Sequence, residues 1–417
     1  MASLLMIGAL GLGGGLVAGC GDDDEGGGDV GALKVGVLVP LTGDLAAFGG
    51  PGSDAANLAA AQVNAAAGDT GLDLTLITED TKTDAQGAQE AATKLVESDG
   101  VSAIAGPWAS PELIPTAENV TIAAGVPVVT PSATGPDITD LDDDGLVFRT
   151  VPSDSLQGKV LATVVADALG ADATVVTANR NDTYGTRLVE EFTKAFEEAG
   201  GTVARNVAYN PEAASLNSEA SQIVQGDPDG WVIIDYPETW SKMGPALVRT
   251  GSWDPAKTFT ADGLRSSDLP ESAGRQTTEG MRGTTPTALE GPAEPAFDAL
   301  WKQEIGKPRQ TYDAQNFDAV ILIALAAAAA GSSDPGDIAA KLGDVSAAPG
   351  TKYTFEQLDE ALAAAADGED IDYEGASGPI DLDENGDPVA ANYATWSYTG
   401  GKLVDDTDNV IPVTPED

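Results

Sequence analysis

Histidine is absent from this 417-residue chain. Its absence removes the usual general base near neutral pH, any Ser-His-Asp triad and most zinc sites. Carboxylate and lysine chemistry remain open. Cysteine occurs once, at Cys20, so no intrachain disulfide can form. Basic residues are scarce: 21 Lys and Arg face 67 Asp and Glu, a net charge of -46. Nucleic acid binding needs clustered Lys and Arg, so this balance argues against it. Such acidity keeps a protein hydrated and resists association. It fits a salty habitat, where screening relieves self-repulsion, and equally a drift of composition toward Ala, Gly and Asp. Aromatic residues make up 5% of the chain, so its core must rest on Ala, Val, Leu and Ile. There is no Walker A motif and no nucleophile elbow, and the Gly11 to Gly15 run precedes any strand, which rules it out as a nucleotide loop. No catalytic cluster supports an enzyme, and no cofactor motif is present.

What the chain does have is length and an apolar content of 42%, enough for two domains with separate cores. Residues 3–19 are apolar and rich in Gly. Leu16-Val17-Ala18-Gly19-Cys20 matches a lipobox, the small-residue run before a cysteine that is lipidated and becomes the mature N-terminus. The run is too short and too Gly-rich for a transmembrane helix. No Lys or Arg precedes it, a departure from the usual signal. The hydrophilic stretch Gly21 to Gly31 reads as a flexible acidic tether. Residues 1–20 are thus expected to be a lipoprotein signal and 21–32 a linker, holding the protein outside the cytoplasm through acyl chains on Cys20.

From Leu33 the pattern alternates. Strands are predicted at Leu33–Val39, Leu72–Thr78, Val101–Gly106 and Val126–Thr130, with helices at Ala46–Ala67, Ala85–Ser98 and Ser110–Ala124 between them. After an acidic loop, Asp140–Gly145, the segment Phe148–Pro152 reads as a crossing to a second unit. Strands at Ala173–Ala178, Thr202–Tyr209, Gly230–Asp235 and Thr258–Ala261 then alternate with helices at Ser155–Leu169, Gly185–Ala199, Ser215–Gln225 and Ser241–Thr250. Strand–helix alternation predicts parallel βαβ units with right-handed crossovers. Further helices are predicted at Ala296–Ile305, Asn316–Ala330 and Phe355–Ala366. Gly378–Val410 reads as antiparallel strands, with Gly378–Leu382 and Val389–Thr399 flanking the turn Asp383–Asp387. The first lobe is expected to take 33–150 plus 284–378, and the second 151–283 plus 379–417.

Seven segments, in order, carry a resemblance. They are Val35–Gly43 with Ala46-Ala47-Phe48-Gly49; Glu79–Asp84 before a helix ending Lys94-Leu95-Val96; Ile104–Ser110; Gly125–Thr134; Phe148–Asp154; Asp182-Thr183-Tyr184-Gly185; and Gly378-Pro379-Ile380-Asp381. From about Leu33 to the C-terminus the chain resembles the leucine/isoleucine/valine-binding proteins of branched-chain amino-acid ABC transporters. The resemblance implies the type I periplasmic-binding fold: two Rossmann-like α/β lobes joined by three hinge crossings, closing on a small solute. It also implies an ABC permease as partner and a monomeric carrier tied to the membrane only by its lipid.

A zwitterionic amino acid needs donors for its carboxylate, an acid or carbonyls for its ammonium, and a shaped apolar wall. Ser110 before Pro111 and Glu112 reads as a helix N-cap. Thr134, beside Ala133, follows the fourth strand at the edge where open α/β sheets bind ligands. By the resemblance, Ser110 and Thr134 hold the ligand carboxylate and Asp262 pairs with the ammonium. Tyr184 and Tyr236 contact the ligand on closure, while Phe48 and Trp108 line the side-chain pocket. On the residues alone, capping, packing and a solvated loop acid explain these positions equally well. Trp108 is bulky for its position, so it shrinks the pocket or stacks on a flat ligand. A sensor module of the same fold, or a carrier of amides, urea or aromatic acids, stays open as an alternative. The loops opening at Asp140 and Asp381 begin like EF-hands, yet position twelve is Val151 in one and Asn392 in the other rather than Glu. No metal is therefore assigned.

Overall fold

The structure, a computed structural model, describes residues 30–287 and 293–414. Cys20, the lipobox and most of the tether lie outside the described residues. The first sheet is parallel, in the order β2-β1-β3-β4-β5, built from β1 (Ala32–Val39), β2 (Asp73–Asp80), β3 (Ala103–Ala105), β4 (Val128–Thr130) and β5 (Val147–Arg149). In β1 the run Val35 to Val39 is buried, as a strand covered on both faces requires. Helices Ala46–Ala66, Asp313–Ala330 and Leu358–Ala366 pack on one face. Ala91, Leu95 and Leu113 meet Ile104 and Val128 on the other.

Helix Asp313–Ala330 is the axis of this lobe. Its length and composition would let it cross a membrane, but it is 89% buried inside the protein. Alanine suits that position because it favours helix and lets neighbouring backbones approach closely. Asn316 ties it to the helix beside it, donating to the Gly52 carbonyl at 2.8 Å. Asp318, fully buried, accepts from the Tyr373 hydroxyl and from the Ala376 and Ser377 amides at 2.7–2.9 Å. The helix starts three residues before the expected Asn316. Tyr312, with φ 71°, turns the chain sharply, and the Asp313 carboxylate accepts from the Gln310 amide at 2.6 Å.

The second sheet has seven strands in the order β15-β14-β10-β9-β8-β6-β7. Its parallel part is β6 (Thr174–Arg180), β7 (Thr202–Tyr209), β8 (Gly230–Ile234), β9 (Thr258–Thr260) and β10 (Arg282–Pro286). Helices Asp154–Leu169 and Thr183–Glu198 cover one face, and Asn217–Ile223 and Pro237–Thr250 the other. A small third sheet, β11 (Thr351–Tyr353), β12 (Ile371–Gly375) and β13 (Gly378–Pro379), lies against the first lobe. The chain then returns to the second sheet as the antiparallel hairpin β14 (Ala391–Thr399) and β15 (Lys402–Val413).

The chain thus passes between sheets three times: after β5, after β10 and before β14. Strand pairing carries the second sheet through Pro286 rather than ending it at 283. It also keeps Gly378–Asp387 on the first-lobe side, where Ile380 and Leu382 are buried in the core with Tyr373. The antiparallel pair expected between Gly378–Leu382 and Val389–Thr399 shrinks to one bridge, Leu382 to Pro388. Asp383 draws the loop into a tight turn by accepting from the Asn385 and Asp387 amides, and Pro379 and Pro388 supply no N–H for a ladder. The long hairpin instead turns at Gly400-Gly401, both at positive φ.

Candidate ligand-binding site

Every first-sheet strand near the cleft ends facing the second lobe, so the loops after β1, β3 and β4 meet those after β6, β8 and β9. Between them lies a small, narrow cavity lined by Leu45, Phe48, Ser132, Tyr184, Tyr236, Asp262, Gly263 and Tyr312. Four of the residues expected from the sequence, Phe48, Tyr184, Tyr236 and Asp262, face it. Ser110, Ala133, Thr134 and Trp108 are buried to 1% exposure or less but are not lining residues in this closed arrangement.

Ser110 is not the helix cap. Ala109 holds that place, and the Glu112 carboxylate reaches back to accept from the Ala109 amide at 3.0 Å. Ser110 is therefore released to reach across to the next loop, its Oγ accepting from the Gly135 amide at 3.0 Å. Its own hydroxyl proton is left to donate elsewhere. Thr134 donates its proton to Asp154 Oδ2 at 2.9 Å, and its oxygen retains lone pairs to accept. Asp154 opens the first helix of the second lobe, and its Oδ1 is buried with no hydrogen-bond partner.

Asp262 accepts from the Tyr184 hydroxyl at 3.2 Å, and the Gly263 amide donates to the same hydroxyl at 3.2 Å. Tyr312 and Gln157 also face the Asp262 carboxyl. Burial holds Asp262 above the ordinary carboxylate range, opposed by these hydrogen bonds. Burial does the same to Asp154, more strongly, and the neighbouring Asp262 charge adds to it. Two buried carboxyls thus lie near enough to feel one another, and a ligand cation beside them would relieve both. The opposite wall is aromatic. Tyr184 and Tyr236 stack at 5.1 Å with rings 15° apart. Trp108 meets Tyr312 edge-on at 6.5 Å and presses against Gly52, where a Cβ would stand 2.3 Å from Cζ2 of the indole.

The sequence reading missed Asp154, Tyr312 and Ser132. Asp154 closes the segment Phe148–Asp154, at the first residue of a helix; that position was a usable signal, hidden among 67 acids. Tyr312 immediately precedes the long alanine helix, but nothing local announces its left-handed φ. The EF-hand-like loops spend their carboxylates internally. Asp143 accepts from the Gly145 and Val147 amides, and Asp387 pairs with buried Arg149.

Comparison with known proteins agrees with this fold. The family model described as "Periplasmic binding protein" matches residues 32–395. A leucine-, isoleucine-, valine-, threonine- and alanine-binding protein of Pseudomonas aeruginosa is 29% identical over 313 residues, covering 74% of this chain and 82% of that protein. The chemotactic signal transduction system substrate-binding protein BasB of Halobacterium salinarum is 27% identical over 363 residues, covering 86% of this chain and 85% of its own. The crystal structure of the leucine binding protein LivK from Thermotoga maritima superposes with a TM-score of 0.76 at 24% identity, covering 92% of this chain and 99% of that one.

Proposed function

Because the chain belongs to the periplasmic binding protein family, we propose that it is the extracytoplasmic solute-binding component of an ABC importer and binds a small apolar amino acid. In this reading it binds and delivers its solute without turning it over. The observation that carries the reading is Asp262 on the wall of a small, largely aromatic cavity, with the buried Asp154 carboxyl close by behind Thr134. The ammonium lies between Asp262, Asp154 and the Thr134 oxygen. The carboxylate takes the Ser110 hydroxyl proton, with Thr134 turning to share it once the ammonium meets Asp154. The side chain packs on Phe48, Leu45 and Tyr312. Cys20 carries the acyl anchor, a permease is the partner, and the carrier works as a monomer.

A ligand bridging both lobes favours closure only by its differential affinity for the closed form. The deciding experiment is a calorimetric screen of L-amino acids beside amides, urea and aromatic acids. An apolar L-amino acid binds, while its decarboxylated amine and its deaminated acid do not. Tight binding of an aromatic acid, with no amino acid bound, overturns the assignment. A second reading, in which the closed cleft reports to a signalling receptor, is favoured by the likeness to a chemotactic binding protein. It requires a co-purifying receptor rather than a permease.

A further inference from the structure

Arg180 ends β6 in the second lobe and is 4% exposed, in a chain where basic residues are scarce. Its own lobe holds it first. Nε donates to Asp182, whose other carboxylate oxygen accepts from the Gly185 amide at 3.0 Å and so caps helix Thr183–Glu198. The guanidinium lies over the Tyr236 ring, 3.7 Å from its centroid. Tyr236 stacks on Tyr184, and Tyr184 bonds Asp262. The free arm of the arginine crosses the cleft: Nη2 donates to Asp44 Oδ2 at 3.0 Å. The same Asp44 oxygen accepts from the Thr239 hydroxyl at 3.1 Å, and the Asp44 carbonyl accepts from the Glu238 amide at 3.4 Å. Asp44, in the loop after β1, is thus held by three donors from the other lobe.

We propose that Asp44 and Arg180 form an interlobe clasp that positions Tyr236 and sets how long the closed cleft retains its ligand. The proposal rests on this cleft being the ligand site. Only arginine combines a planar face for the tyrosine with a fork that serves two carboxylates at once. Asp182 and Tyr236 order it within its own lobe, so little side-chain freedom is lost when Asp44 arrives. The pair forms only on closure, so its effect falls on reopening and hence on dissociation. A second interlobe pair provides a contrast. Arg187 and Asp137 approach to 2.8 Å, but their side chains are 42% and 40% exposed, and solvent screens such a pair to little net effect.

The test uses the full chain with Cys20→Ser and a nitroxide on each lobe, at Ser98→Cys and Glu197→Cys, both exposed positions. Lobe separation is measured by pulsed electron resonance without ligand and with L-isoleucine or L-alanine, and binding rates by stopped flow. Asp44→Asn and Arg180→Gln each raise the dissociation rate about tenfold or more, as loss of a charge-assisted bond requires. They leave association within about threefold, since the change lies in the closed state. Both shift the ligand-free distances toward longer values. The double variant is no worse than the worse single, Arg180→Lys recovers less than half the effect, and Asp137→Asn changes dissociation less than about twofold. Wild-type dissociation and distances in Asp44→Asn, or additive losses in the double variant, overturn the clasp. If the wild type binds no amino acid, the ligand reading fails, and the distance measurements still decide the clasp.

Discussion

Thr134 and Asp154 are joined twice across the first crossing between lobes: the Asp154 amide donates to the Thr134 carbonyl at 2.8 Å, and the Thr134 hydroxyl donates to the Asp154 carboxylate at 2.9 Å. A loop of the first lobe is thereby fastened to the first turn of the second lobe's leading helix, beside the cavity. Thr134→Val keeps the shape and removes the donor. It strands a buried carboxyl oxygen, so stability falls by roughly 1–3 kcal/mol. Ligand affinity falls as well, because the valine offers the ligand nothing. Urea unfolding and calorimetry on the same preparation check both outcomes.

Asp262→Asn retains the size of the side chain and removes its charge. Losing one member of a buried ion pair costs about 2–5 kcal/mol, so amino-acid affinity drops by at least about thirtyfold. The pH dependence follows from the same group. Burial raises both Asp262 and Asp154 above their ordinary range, so the empty site holds its protons to higher pH than free carboxyls do. A bound ammonium favours the charged forms. Binding therefore releases protons, and affinity rises with pH through the elevated titration range. Calorimetry in two buffers of different ionisation heat counts those protons. Asp262→Asn releases fewer.

Glu112 is fully buried in the first turn of the helix Ser110–Thr116, and burial pushes its carboxyl up to about 7. The native state keeps that proton while the unfolded chain surrenders it near its ordinary value of about 4.3. The stabilisation is complete at low pH and is lost as pH rises through about 7, a change of roughly 3 kcal/mol. Glu112→Gln keeps the oxygen that accepts from Ala109 and removes the titration. Between pH 5 and pH 8 the wild type loses more stability than the variant. Equal losses in chemical denaturation at the two pH values refute the assignment.

Arg149, with no exposed surface, ties the end of β5 to the loop before the third crossing. It pairs with Asp387 and also donates to Thr139 and to the Thr134 and Gly135 carbonyls. Asp387→Ala leaves that charge buried and unpaired, which costs about 3–5 kcal/mol. It also loosens the Thr134 loop. Thermal unfolding and ligand affinity both decline, in contrast to a substitution at exposed Glu384.

The alternating lobes were legible because their signal is compositional and repeated. Val35–Val39 is apolar through consecutive positions, as a doubly covered strand must be, and the Ala-rich stretch from Ala46 keeps its helical pattern despite Pro51. Phe48, Tyr184, Tyr236 and Asp262 could be located through the family resemblance, and each lies in the loop or first helical turn that follows a strand. Ser110 shows where local reading stops. Its sequence is that of a cap, but the helix starts one residue earlier in register: Ala109 takes the cap position, Glu112 accepts from the Ala109 amide, and the serine, now the first helical residue, meets Gly135. Tyr312 and Asp154 depend on a left-handed backbone turn and on a partner 20 residues away, and neither is written in a local pattern. The strand end of the chain misled for a related reason: Ile380 and Leu382 alternate as a strand would, yet their burial partner is the first lobe.

The contact between Gly52 and the Trp108 indole makes two distant positions one unit of volume. A methyl group added at 52 has no room unless the ring at 108 shrinks, and a smaller residue at 108 opens a void that only a larger one at 52 can refill. Reshaping the packing behind Tyr312 therefore takes paired substitutions, because a change at either position alone leaves a clash or a void.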